Sequence, residues 1–274
     1  MSEELLEKQR AFFLDVRGRQ IFAQIHEPEG SLQLREGVVI CAPAPQETRK
    51  THWMQRQIAQ RLAQAGYTTL RFDYSASGDS EGPSSAFDLD RCREDIAHAI
   101  AYLKGSGLVR RITVLGIRLG AALALDVCEE ERVKRLVLID PILDGAAYLA
   151  SLRSFHSTFT EGHPYQAPFV EPRTSEAQAM GFPLSPLLAW QLEALRATTP
   201  QNLKLKSLQL IQSAGAPSLA AWLAPLSQGE AALDEVQCRQ VDEQLHWDRP
   251  EALSYQFFPN ALIHAIVDAV KGQS

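Results

Sequence analysis

Short apolar runs that alternate with helical stretches constrain this chain more than any other feature of its sequence. "EGVVICAPAP", "YTTLRFDY", "RRITVLG" and "RVKRLVLIDP" are each too short for a helix and too evenly apolar for a half-exposed strand. A strand covered on both faces reads this way, because its successive side chains enter two dry layers. Between these runs "TRKTHWMQRQIAQRLAQAGY" places Met54, Ile58, Leu62 and Ala65 at helical spacing and stops at Gly66. "DLDRCREDIAHAIAYLKGSG" does the same with Ile96, Ile100 and Leu103 before Gly105 and Gly107. Glycine suits a helix end because it takes the left-handed conformation without strain. Repeated strand and helix units predict an α/β fold: a mostly parallel central sheet, flanked by helices, with right-handed crossovers.

The flanks complete the layout. "AFFLDVRGRQIFAQIHEP" alternates around Arg17-Gly18-Arg19 and predicts an antiparallel hairpin. After Asp140-Pro141 the rhythm stops, and 146–200 carries no strand signal but holds Pro164, Pro168, Pro172, Pro183 and Pro186. This stretch is expected to be a cap inserted above the sheet. Alternation resumes with "SLQLIQSA", "PSLAAWLAPL" and "LDEVQCRQVD", then the loop "EQLHWDRPEALSYQFF" and a last helix "PNALIHAIVDAVKG". Seven or eight strands are expected, in one domain over 1–274 with 146–200 as its insertion. A chain of 274 residues with 45% hydrophobic content can bury a core of that size.

Charge narrows the partners. A net charge of −6 and a pI near 5.7 argue against nucleic acid and anionic membranes, which need a basic footprint. Small molecules, anionic ones included, or proteins remain, a second copy of this chain among them. Cys41, Cys92, Cys128 and Cys238 show no Cys-x-x-Cys spacing, which suggests reduced thiols and neither a zinc site nor a disulfide framework. No motif asks for a metal or a cofactor. "SASGDSEG" lacks the lysine-containing pattern of a phosphate loop, so Asp79 and Ser80 read as turn-stabilising residues. "MSEELLEKQR" has no apolar h-region and no apolar run reaches bilayer-spanning length, so the chain reads as soluble and cytoplasmic, without membrane insertion.

The stretches "LRFDYSASGDSEG", "VLGIRLGAALALD" and "LVLIDPILDGAAYL" resemble the α/β-hydrolase superfamily, and the likeness spans nearly the whole chain. That superfamily carries its nucleophile in Gly-x-Ser-x-Gly on a sharp strand-to-helix turn. Here Gly116 and Gly120 keep the spacing, but Arg118 stands in the serine's place, flanked by Ile117 and Leu119. "CAPAPQETRKTHWMQRQIAQRLAQAGYTTLRFDY" together with this arginine resembles the subgroup that includes the exosortase A system-associated hydrolases, where "GLRLG" recurs. A guanidinium has no free lone pair and stays protonated, so acyl transfer through position 118 is ruled out.

The resemblance implies that residue 118 points into a pocket at the carboxyl edge of the sheet, at a helix N-terminus. Arg118, with Ile117, Leu119, Pro43 and Ala44, then forms a candidate ligand pocket that suits a carboxylate or phosphate. Equally, Arg118 could be held internally by Asp73, Asp140 or Glu47, since buried arginine seldom lacks an acidic partner. Catalytic candidates are Glu47 as base on a water, Asp140 (or Asp144) as the acid after "LVLI", and His246 at the superfamily's histidine locus. His246 could instead be a loop residue stacked on Trp247. Prolines in "CAPAPQE" lack backbone donors and weaken an oxyanion site there. Cys41 reads as buried and inert, His264 as a packing or surface residue, and His52 as a neighbour of the pocket mouth. Two function classes follow. One is a hydrolase that activates water beside an arginine-bound anion; the other is a non-catalytic hydrolase-fold protein that binds a ligand or partner.

Overall fold

The computed structural model describes residues 9–28, 32–161, 178–197, 203, 205–227, 233–245, 247 and 259–272. Its first strands, β1 (Gln9–Val16) and β2 (Arg19–His26), form the expected hairpin. The two-residue turn places Arg17 at φ 52° and Gly18 at φ 85°, the pair of left-handed conformations that matches strand twist. β2 then pairs antiparallel with β4 (Thr68–Phe72), and the remaining pairings of this eight-stranded sheet are parallel. With β3 (Glu36–Cys41), β5 (Arg111–Ile117), β6 (Arg135–Ile139), β9 (Ser207–Ser213) and β10 (Glu235–Val241), the sheet order is β1-β2-β4-β3-β5-β6-β9-β10.

Helices cover both faces, which is why the central strands are apolar without alternation. On one face α1 (Pro45–Gln64) and α7 (Asn260–Lys271) bury Met54, Ile58, Leu62, Ile263 and Ile266 against Val38, Ile40, Leu115 and Ile117. On the other, α2 (Leu89–Gly105) and α3 (Leu119–Glu130) bury Ile96, Leu103 and Leu123 against Val39, Val114 and Leu136. Consecutive residues Val114 and Leu115 thus enter opposite cores. Asp88 sets where α2 begins, its carboxylate accepting from the amides of Asp90 and Arg91.

The segment after β6 holds α4 (Gly145–Glu161), a short hairpin of β7 (Gln178–Ala179) and β8 (Phe182–Pro183), and α5 (Pro186–Ala194). The hairpin departs from the expectation of no strand in 146–200. Its two-residue strands are too short to carry a sequence period, and Met180 and Gly181 turn it with positive φ. α6 (Ala220–Ser227) lies between β9 and β10.

Candidate functional site

The turn from β5 into α3 is built by its glycines. A Cβ on Gly120 would lie 2.2 Å from the Ala42 carbonyl oxygen, and one on Gly116 2.5 Å from Ala121 Cα. Only bare backbone lets the end of β3 approach so closely, and Arg118 between them is forced to φ 55°, ψ −115°. Few residues besides glycine adopt positive φ without strain, so the turn is imposed by its surroundings.

Arg118 is buried, at 7% exposure, and its guanidinium pairs with Glu47. Nη2 and Nε donate to Glu47 Oε1 over 3.3 and 3.4 Å. Glu47 lies in the first turn of α1, where Pro45 fits a position that needs no amide donor and the helix dipole favours a carboxylate. Aromatic rings flank the cation: the guanidinium carbon lies 5.1 Å from the Trp247 ring centre and 5.7 Å from that of Tyr148. Such contacts favour a weakly hydrated, delocalised cation over lysine.

Asp140 sits next to this arrangement at φ 42°, just past β6, but does not pair with Arg118. Its Oδ1 accepts from the Ser213 amide at 2.8 Å, and its Oδ2 from Ser213 Oγ at 2.6 Å and Trp247 Nε1 at 2.8 Å. These donors tie the ends of β6 and β9 together and hold the Trp247 ring over Arg118. Asp144 is elsewhere: it caps α4 through the Ala147 amide and pairs with Arg196 at 3.3 Å.

A cavity of about 280 Å³ opens beside the turn. Ala44, Gln46, Leu119 and Tyr148 form its floor, and Leu152, Phe182, Leu184 and Leu188 close it from the segment after β6. Its lining is mainly apolar, and Tyr148, held by Gln46 Nε2 at 3.2 Å, belongs both to it and to the shell of Arg118.

A profile of the alpha/beta hydrolase fold matches residues 38–228. The chain belongs to the α/β hydrolase fold family. Solved structures similar to it repeat the architecture end to end. Est1E of Butyrivibrio proteoclasticus with ferulic acid bound has a TM-score of 0.65 at 16% identity, over 96% of this chain and 99% of that one. The Pyrococcus furiosus esterase PF2001 has 0.62 at 17%, over 96% and 90%. An alpha-beta serine hydrolase homologue from Coxiella burnetii has 0.57 at 14%, over 95% and 97%. At such identities the likeness is one of fold. No curated protein matches the chain.

Within this hydrolase fold the residues singled out from sequence separate. Glu47, Arg118 and Asp140 converge on one shell, and His246 lies outside the described residues. Ala44 and Leu119 line the cavity. Ile117 does not: its side chain is in the core under α1 and α7, because alternation along β5 turns it away from the α3 side. Pro43 contributes a carbonyl that accepts from Thr48 Oγ1 at 3.0 Å.

Among the lesser candidates, Cys41 is fully buried and burial pushes its thiol well up, as an inert core cysteine requires. His264 meets Arg61 at 3.0 Å on the exposed surface. Ser75 Oγ donates to the buried Asp95 at 3.0 Å and accepts from Arg19 Nε at 3.1 Å, a latch between loop, β2 and α2. Ser80 bridges the Phe22 amide and the Asp73 carbonyl, at 2.8 and 2.7 Å. The roles of Tyr148, Trp247 and Ser213 carry no sequence signal. Each depends on a contact across distant segments.

Proposed function

We propose that this α/β hydrolase fold protein binds a small, largely apolar ligand in the cavity beside its elbow, and does not carry out serine acyl transfer. The observation that carries this reading is the buried Arg118–Glu47 pair in the place of a nucleophile. A guanidinium cannot attack a carbonyl, and its internal carboxylate neighbour lessens the pull on an external anion. The cavity's apolar lining matches what small-molecule sites use for affinity, with few polar groups for orientation. On this reading 146–200 serves as the cap of one domain. The likeness of "GIRLG" to the elbow of the exosortase A system-associated hydrolases supports treating Arg118 as a shared trait.

Localisation follows the charge and hydropathy argument: a cytoplasmic protein, with a second copy of the chain as a candidate partner. Among the described residues no helix is long and apolar enough to cross a membrane.

The test is a fluorophosphonate probe together with short p-nitrophenyl esters. No labelling and no turnover above a heat-inactivated control are expected. Probe-sensitive turnover would reveal an overlooked nucleophile, with Ser75, Ser77 and Cys41 the first to examine. The strained backbone kept at Arg118 favours one second reading, a hydrolase in which Glu47, Asp140 or His246 activates water. Probe-insensitive ester hydrolysis that disappears in Glu47→Gln would decide for it.

A further inference from the structure

A second cavity of about 400 Å³, lined by several charged side chains, lies between the first turns of α1, strands β2 and β4, and the loop after β4. It shares Pro45, Ser77, Gly78 and Phe182 with the apolar cavity, so the two adjoin along these residues. Arg71 forms its deepest charge. Arg71 is 9% exposed, and among the described residues its guanidinium bonds only to neutral acceptors, His26 Nε2 at 3.2 Å and the Gln24 side-chain oxygen. No carboxylate stands at ion-pair distance from it among the described residues. Burial accordingly draws its pKa down to about 10, although Asp73 opposes the shift.

The other charges facing this space are shallower. Arg49 and His52 are exposed at the rim on α1, Asp79 is exposed on the loop, and Asp73 is half-buried with its Oδ2 accepting from the Asp79 amide at 3.0 Å. Exposed charges such as Arg49 and Asp79 are screened by water and salt, so the field inside the cavity is set by the buried Arg71 cation and, less deeply, by the half-buried Asp73. A planar guanidinium with no carboxylate at ion-pair distance fits an oxyanion with two acceptor atoms.

We propose that this cavity is the head-group site for an amphipathic anion, a short acyl or aryl compound ending in a carboxylate or phosphate, whose apolar part occupies the neighbouring cavity. The inference rests on the ligand-binding reading above and adds the chemical class of the ligand. Arg71 receives the oxyanion, and Asp73 takes a hydrogen bond from any hydroxyl beside it.

Calorimetric titration of the full chain with 1-octanol and with octanoate, then with octyl phosphate below its micelle concentration, separates the two ideas. Octanol should bind, and octanoate or octyl phosphate should bind at least about tenfold more tightly, as a charge-assisted pair supplies. In Arg71→Gln that ratio should fall to near one. Should that variant fail to fold, His52→Glu on the exposed rim should weaken the anions several-fold and leave octanol unchanged. If octanol binds but the anions bind no better, or if their advantage survives both variants, the head-group site is refuted while the apolar cavity stands. If octanol does not bind, the ligand-binding reading fails and this inference with it.

Discussion

Arg118 is a charge inside the protein that is tolerable because other residues were placed around it. Glu47 supplies the countercharge, and Tyr148 and Trp247 supply polarisable faces. Taking the cation away from a buried carboxylate is expensive, so Arg118→Met should lower stability by about 3–5 kcal/mol in urea denaturation. The double variant Arg118→Met with Glu47→Leu should recover most of that loss, because an apolar pair of similar volume carries no desolvation penalty. A double variant no more stable than the single would refute the pair. Arg118→Ser restores a hydroxyl at the elbow, but Asp140 is already occupied by Ser213 and Trp247. Triad members act as a unit, so the serine variant should show no fluorophosphonate labelling. Labelling would mean that a working acid and base stand ready in the parent.

At the scale of elements, the β5-to-α3 turn decides where the site lies. Its glycines are steric requirements, since Gly120 faces the Ala42 and Cys41 carbonyls and Gly116 faces the start of α3. Gly120→Ala should cost at least about 3 kcal/mol, at the upper end of overpacking penalties, because rigid backbone on both sides cannot give way. Gly105→Ala, where a Cβ would meet nothing within 4 Å, is the matched control and should melt at or slightly above the parent, because alanine favours helix over glycine. Differential scanning calorimetry of both checks the contrast. Equal melting would show that the close approach at the elbow is not required.

For the whole molecule the acid limb of stability follows from groups buried in particular charge states. His26 is 1% exposed, and burial together with the Arg71 and Arg56 charges holds its pKa down to about 3. Arg71 donates to Nε2, which leaves the proton on Nδ1, an atom without a hydrogen-bond partner. The unfolded chain takes up a proton at His26 first, so stability is complete above the ordinary histidine value of 6.5 and falls as pH drops from there towards 3. The slope is about 1.4 kcal/mol per pH unit, or about 2 kcal/mol between pH 7 and 5. His52 is shifted the same way, by burial first and then by Arg71. Asp73 and Asp95, raised by burial, take protons first in the folded state and offset part of the loss near the carboxylate range. His26→Gln keeps an acceptor for Arg71 and cannot protonate, so its stability should be flatter between pH 7 and 5. A parallel decline in parent and variant would locate the effect elsewhere.

Element type and sheet architecture were legible in the chain itself, because period and composition are local. A run such as "VVIC" is apolar throughout only if both faces are covered, and the spacing of Met54, Ile58 and Leu62 is already a helix face. The elbow was legible too, from two glycines flanking one residue. Which acid would meet Arg118 was not. Glu47, Asp73 and Asp140 all lie near the carboxyl edge of the sheet, and only packing placed Glu47 at 3.3 Å and turned Asp140 to Ser213 and Trp247. Nor does sequence bring Tyr148 and Trp247 onto one guanidinium, or leave Arg71 facing neutral partners. Secondary structure is set by neighbours a few residues apart, whereas the charge state and company of a buried side chain are set by whichever distant segments the fold brings within a few ångströms.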